Sequence, residues 1–335
     1  MDWQKDTYLI MSLDPVHIGT GGYRLGRVDN AIIREPGTNL PKIPGTSLHG
    51  AIRSAAAMRY GKPAAAGQFP KGSPEECPIV YTFGAGEKGG FSSGVVSISD
   101  ARILLFPISS IDGPVWITTR SILQEAEFGV NGAGVPDVNT EEAVILSNGL
   151  KAVNNTFNLG WLMLKVQDNN LNLTHDHWEN TPELEDALKR VVMVHDSIFP
   201  HLVNSGLEVR TSVAINPETG AAEDGALYTY EAIPRATFLT FNVIVDDYRT
   251  GEKPWPVDYR ENDGGALGET WDNPIDVVDS GLRLLEFLGV GGMVTRLSRH
   301  LVLHKILYCR RCTSPKQVLY LQIKNKPTFQ LHIQK

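Results

Sequence analysis

Cysteine is scarce: the 335 residues hold three, Cys77, Cys309 and Cys312. Three thiols build no disulfide framework, which excludes the stapled extracellular folds and fits a reducing cytosol. Long apolar runs are also missing. The opening MDWQKDTYLIMSL has no basic leader ahead of an apolar stretch, and no window approaches the roughly 18 apolar residues of a membrane span. A soluble, cytoplasmic chain with no membrane partner is expected. No Walker A sequence occurs. The formal charge of −7 argues against a free-standing, non-specific nucleic-acid binder. Acid is absent at the end of the chain, where no Asp or Glu follows Glu286. Residues 296–335 are therefore a basic tail, to which the sequence assigns no role.

What is present is concentrated between Val16 and Arg53, VHIGTGGYRLGRVDNAIIREPGTNLPKIPGTSLHGAIR. Gly19, Gly21 and Gly22 form a bend at which backbone amides approach a ligand closely. Asp29 stands among Arg24, Arg27 and Arg34. Pro44-Gly45 then feeds a helix, whose start leaves N–H groups free for a phosphate. Extended to Lys62, this stretch carries a local net +5 inside an acidic chain. Such a patch suits a polyanion.

Thr7 to Leu13 is a short apolar run ending at Asp14-Pro15, which predicts a first core strand. Residues 14–46 are too long for a mere connector and are expected to face the ligand, with Val28, Ile32 and Ile33 favouring order. Thr46 or Ser47 is expected to cap a helix over Leu48 to Tyr60, with Leu48, Ile52 and Ala55 on the sheet and Arg53 free for ligand. Residues 61–93, rich in Gly, Pro, Ala and Ser, are expected to be a flexible insertion. They include Gly84-x-Gly86-x-x-Gly89, but no helix pattern follows, as a dinucleotide site requires. Val95 to Pro107 reads as a strand pair or one long bent strand. Glu183 to Phe199 reads as a helix with the stripe Leu184, Leu188, Val191, His195, Ile198. Val209 to Ile215 alternates, turns at Asn216 to Gly220, and returns as Ala226 to Ile233, a long hairpin with Tyr228 and Tyr230 on one face. Phe238 to Val245 is another strand and Pro274 to Leu288 another amphipathic helix. This order predicts one α+β domain, a ferredoxin-like core with large insertions.

Asp29 has two readings. It pairs with Arg27 or Arg34 and pins its loop, or it serves RNA cleavage by taking the 2′-OH proton or holding Mg²⁺ beside the phosphate. His17 either bonds a carbonyl or touches RNA. The pairs His175-Asp176-His177 and His195-Asp196 have the residue types of metal phosphohydrolases, yet those are helical proteins and this chain is rich in strands and glycine. His300, His304, Cys309 and Cys312 are zinc-ligand types with one C-x-x-C, though the second Cys pair is missing and the histidines come first.

The strings IGTG, VDNAIIRE and LPKIPGTSLHGAIRS resemble the signature of the RAMP superfamily of CRISPR effector subunits. The resemblance continues through CPIVYTFG, SISDARILLFP, VHDSIFPHLV, LEVRTSVAINPETG, GALYTYEAIPRATF and EFLGVGG, from Thr7 to about Thr295. GALYTYEAIP is more similar to the Cmr-type (type III-B) backbone subunit than to its Csm-type (type III-A) relative. The resemblance implies an RRM-like palm with a thumb hairpin over 203–235. Copies of the chain would stack along a CRISPR RNA, beside other Cmr-type subunits, and cut target RNA with a divalent metal ion, Mg or Mn. The cleaving aspartate matches Asp29 and its nearby histidine His17. The guide-gripping motif matches Lys42, Ser47 and Arg53, with His49 where Lys is usual, and the bend adds Gly19, Gly21 and Arg27. Tyr228, Tyr230 and Glu231 would lie near the site of an adjacent subunit. Base pairing would read sequence and protein would read backbone. A scaffold that holds guide RNA without cutting, and a Csm-type subunit, are the alternatives.

Overall fold

The computed structural model describes residues 3–20, 28–67, 77–87, 90–131, 134–167, 171–175, 178, 181–222, 227–248, 271–291 and 301–308. The organising element is the first strand, Trp3–Ser12, with Tyr8, Leu9 and Ile10 fully buried, so that both of its faces are covered. It runs antiparallel to Phe238–Asp246 on one side and to Leu301–Tyr308 on the other. Phe238–Asp246 in turn pairs antiparallel with Ala101–Ser110, and with Val96–Ile98 through Val243↔Ile98. Beyond Ala101–Ser110 the same sheet continues through Gly113–Thr119, Val191–Val194, Glu142–Ile145, Leu162–Val166 and Thr156–Leu159, and with Lys42–Ile43 paired to Ala101–Ser110 it has eleven strands in all. The sheet is mixed, since Val191–Val194 is parallel to Gly113–Thr119.

The helices Gly45–Arg59 and Pro274–Leu288 share one hydrophobic cluster on one side of the first strand, contributing Leu48, Ile52, Ala55, Ile275, Val278 and Leu282. Leu48, Ile52 and Ala55 face inward as the sequence spacing predicts. The two helices approach closely because Gly281 has no side chain: a Cβ there would lie 2.5 Å from the Ile52 carbonyl oxygen. Asn273 closes a capping box with Asp276 at the start of the second helix. On the other side of the strand, Leu9, Leu104, Leu123, Leu184, Met193 and Phe238 form a second cluster.

The structure corrects three expectations. The span from Glu183 to Phe199 is not one helix but a helix Pro182–Leu188, the strand Val191–Val194, and a helix Phe199–Ser205. Four consecutive buried apolar residues, three of them valine, satisfy a strand covered on both faces better than a helix with one wet side. The insertion 61–93 contains core: every residue of the helix Pro78–Phe83 is buried, and Gly84–Glu87 pairs with Gly90–Ser93 rather than opening a nucleotide site. The helix after Pro44 begins at Gly45 with no side-chain cap from Thr46 or Ser47. A residue distant in sequence supplies that cap instead, because the strand from Val96 breaks at Ser99-Asp100 and turns the Asp100 carboxylate onto the Gly45 N–H, 2.8 Å away. The bent-strand expectation for Val95 to Pro107 therefore holds, and the bend has a use.

Candidate nucleic-acid interface

After the first strand the chain bonds back to the segment following Tyr228–Ala232, with Val16 N–H donating to Ile233 O at 2.9 Å and Ile233 N–H to Val16 O at 2.8 Å. It then folds on itself, Ile33 N–H donating to Ile18 O at 2.9 Å. Ile32 and Val28 are buried at 1% and 6% exposure, which holds this long segment in place as their bulk suggests. The returning arm runs alongside Tyr228–Ala232: Asn30 N–H donates to Thr229 O at 3.0 Å and Glu231 N–H to Asn30 O at 3.1 Å. Asp29 is thereby delivered to Thr229.

The Asp29 carboxylate is exposed. Its Oδ2 accepts from the Thr229 backbone N–H at 2.7 Å and from the Thr229 hydroxyl at 2.9 Å, while the Asp29 N–H donates to that same hydroxyl at 3.1 Å. These bonds, the backbone one first, hold the acid below the ordinary carboxylate range. Asp29 is not paired with Arg34, whose guanidinium goes to Glu231 Oε2 at 2.8 Å and to Asn204 Oδ1 at 2.8 Å. Arg27 and Gly21 lie outside the described residues.

His17 is anchored two residues further along that strand, at Glu231. Its Nδ1 meets the Glu231 carbonyl oxygen at 2.5 Å, and its ring stands edge-on to Tyr230 with centroids 5.3 Å apart. A carbonyl only accepts, so Nδ1 carries the proton and Nε2 is left to a ligand. A Cβ at Gly19 would fall 3.1 Å from Nε2, and one at Gly291 would fall 2.7 Å from the His17 carbonyl oxygen. Glycine at both positions gives the histidine its room. With a strand rise of about 3.3 Å per residue, the points anchoring Asp29 and His17 are about 7 Å apart.

Tyr228, Tyr230 and Glu231 lie beside Asp29 and His17 of their own chain. The two tyrosine rings are tilted neighbours at 6.3 Å. Glu231 is 7% exposed, with its carboxylate engaged by Arg34 and by the Ile32 N–H. Tyr228–Ala232 pairs antiparallel with Glu208–Ser212, and the hairpin tip closes with Gly220 N–H on Asn216 O at 2.9 Å. Val209, Ile215 and Leu227 are exposed along it.

The helix-start residues stand apart from this acid. Lys42 pairs with Asp100, the residue that caps the helix. Burial pushes the Asp100 acid up, but the bonds from Lys42 and the Gly45 amide outweigh it and leave it lowered. Ser47 is in the first turn, and His49 stands edge-on to Phe83 at 5.0 Å, its pKa lowered by burial and by Arg53. Arg53 is not free: its guanidinium donates to Ala65 O at 2.9 Å and is half-buried, tying the helix to the segment that follows it. Among the distractors, His195 Nδ1 contacts the Ser197 hydroxyl at 2.8 Å and lies on no helical stripe. Asp176, His177, His300, Cys309 and Cys312 lie outside the described residues, as does the side chain of His304.

Two residues here escape sequence reading. Asp100 left a trace, being an acid that interrupts an apolar strand. Thr229 left none, because threonine in an alternating strand is ordinary. Among the described residues no three His, Cys, Asp or Glu side chains gather as a metal cage. Mg²⁺ needs no such cage, since it is bound by one or two carboxylates together with substrate phosphates and water. The exposed Asp29 carboxylate, held on Oδ2 and below the ordinary carboxylate range, fits that requirement.

With this geometry in hand, the sequence matches the pattern of the RAMP superfamily over residues 10–296. It is 28% identical over 248 residues, 70% of this chain and 80% of the relative, to the CRISPR system Cmr endoribonuclease Cmr4 of Pyrococcus furiosus. A shorter stretch of 91 residues, 27% of this chain and 41% of the relative, is 36% identical to the CRISPR system Cms endoribonuclease Csm3 of Enterococcus italicus. Among solved structures, a chain of the type III-B Cmr-beta complex bound to cognate target RNA has a TM-score of 0.59 at 15% identity, over 90% of this chain and 96% of that one. Oligomeric Cmr4 from Pyrococcus furiosus gives 0.54 at 19% identity, over 90% and 98%. These likenesses agree on an α+β fold built around a large sheet.

Proposed function

This chain belongs to the RAMP superfamily, and from that premise we propose that it is a Cmr-type backbone subunit that binds CRISPR RNA in an assembly of its own copies and cuts target RNA at Asp29. The observation that carries the cleavage reading is the exposed Asp29 carboxylate, ionised and fixed on Oδ2 by Thr229. The order Leu301–Tyr308, Trp3–Ser12, Phe238–Asp246, Ala101–Ser110, with two helices packed on one face, supports a ferredoxin-like palm. The paired strands Glu208–Ser212 and Tyr228–Ala232, with exposed Val209, Ile215 and Leu227, support a thumb that parts bases.

Cutting RNA requires the 2′-oxygen to approach the phosphate in line, which duplex geometry forbids. A thumb that unstacks one step releases the linkage beside it at a cost of about a few kcal/mol. Asp29, with its pKa lowered, is a poor proton acceptor at neutral pH and a good anionic ligand. Asp29 would hold a divalent ion. Such an ion, when bound, supplies charge neutralisation on the developing oxyanion. His17, its Nδ1–H held by the Glu231 carbonyl, presents an Nε2 lone pair that would take the 2′-hydroxyl proton as the 2′-oxygen attacks and the 5′-oxygen leaves with a proton from water.

Asp29→Ala in the reconstituted complex with guide and target RNA is the test, scored for target binding and for cutting. Cutting lost by a factor of at least about 100 with binding kept is expected, the order reached when a charged group that stabilises a transition state is removed. Unchanged cutting removes Asp29 and leaves a guide-holding scaffold.

A further inference from the structure

Thr229 both donates and accepts through its hydroxyl on one residue. The Oγ1 donates its single proton to Asp29 Oδ2 at 2.9 Å and accepts the Asp29 N–H at 3.1 Å, while the Thr229 N–H donates to the same Oδ2 at 2.7 Å. A threonine serving only to fill a strand would point its hydroxyl at solvent or at its own backbone. Here both ends of residue 29 are gripped from a strand 200 positions away. Oδ2 receives both Thr229 bonds and Oδ1 neither, so the grip distinguishes the two oxygens. The neighbouring interactions fix the gripping strand in turn: Asn30 bonds to it through Thr229 O, His17 through Glu231 O, and Arg34 through the Glu231 carboxylate.

Resting on the assignment of Asp29 as the cleaving acid, we propose that Thr229 is a positioning residue for cleavage, fixing which carboxylate oxygen of Asp29 meets the scissile phosphate. Thr229 touches no reacting atom and acts through Asp29 alone.

The test compares Thr229→Val, Thr229→Ser and Asp29→Ala in the complete complex with guide and target RNA. T229V keeps the shape and the backbone N–H but removes the hydroxyl. Cutting should fall about tenfold, as one lost hydrogen bond to a charged group costs, with target affinity unchanged. The acid limb of its pH–rate profile should move upward, because Asp29 loses a bond that favours its ionised form. T229S should restore both rate and profile. Should T229V fail to assemble, Thr229→Cys carries the same comparison, since a thiol has nearly the same size but donates weakly. If Asp29→Ala abolishes cutting while T229V or T229C matches the unaltered complex in rate and profile, Thr229 is not a positioning residue and the Asp29 assignment stands. If Asp29→Ala cuts normally, both fall.

Discussion

At neutral pH the Asp29 carboxylate carries its charge into solvent, and Thr229 keeps it there. A folded-state pKa below the ordinary value means that the ionised form, and the contribution it makes, is complete above the unfolded pKa and is lost as pH falls through the folded one. The part of cutting that depends on the Asp29 charge should therefore persist from neutrality into the ordinary carboxylate range and be lost only below it, as a single-turnover pH series would show. Glu231 has the opposite character, a carboxylate with no solvent to fall back on. Its side chain is 10% exposed and that of its partner Arg34 20%, so Glu231→Gln removes the counter-charge of a largely buried guanidinium, which keeps its bonds to Asn204 and the Ile32 carbonyl. We expect a loss of about 2 kcal/mol, below the range for fully buried pairs, read as a lower midpoint in urea unfolding.

Among elements, the helix Gly45–Arg59 shows how far its surroundings set it. A Cβ at Gly45 would lie 2.2 Å from the Ile98 carbonyl oxygen. Gly45→Ala must push the helix start off the strand, and about 1–3 kcal/mol of destabilisation is expected in thermal unfolding. Arg53→Ala should act on stability as well as on RNA, because its guanidinium closes the carbonyls after the helix. A drop in melting temperature for the subunit without RNA is the expected sign. The apolar faces of both long helices were legible in the sequence because 3.6-residue spacing is local. The cap was not, since Asp100 reaches Gly45 from 55 residues away. The helix expected over Glu183 to Phe199 failed for a related reason: Leu184, Leu188 and Val191 fit a stripe, and only the sheet around Val191–Val194 shows that all four residues are buried.

For the whole molecule, an acidic chain of charge −7 carries a local net +5 in the loop and helix that follow the first strand. The isolated subunit should bind RNA weakly at physiological salt, and the assembled complex tightly with a steep salt dependence, because each copy adds only a few phosphate contacts. Filter binding at two salt concentrations distinguishes this from a subunit that grips RNA alone. Asp29, His17 and the long hairpin could be picked out from the sequence as residues of interest. What brought them to one edge was the return of Tyr228–Ala232 to the loop, which no local pattern encodes.

The distance along the chain between Asp29 and Thr229 has a bearing on biosynthesis. At roughly 5–20 residues per second, a ribosome delivers the gripping strand about 10–40 s after the acid has emerged. During that interval the nascent polypeptide carries a carboxylate whose Oδ2 has not yet met its partner.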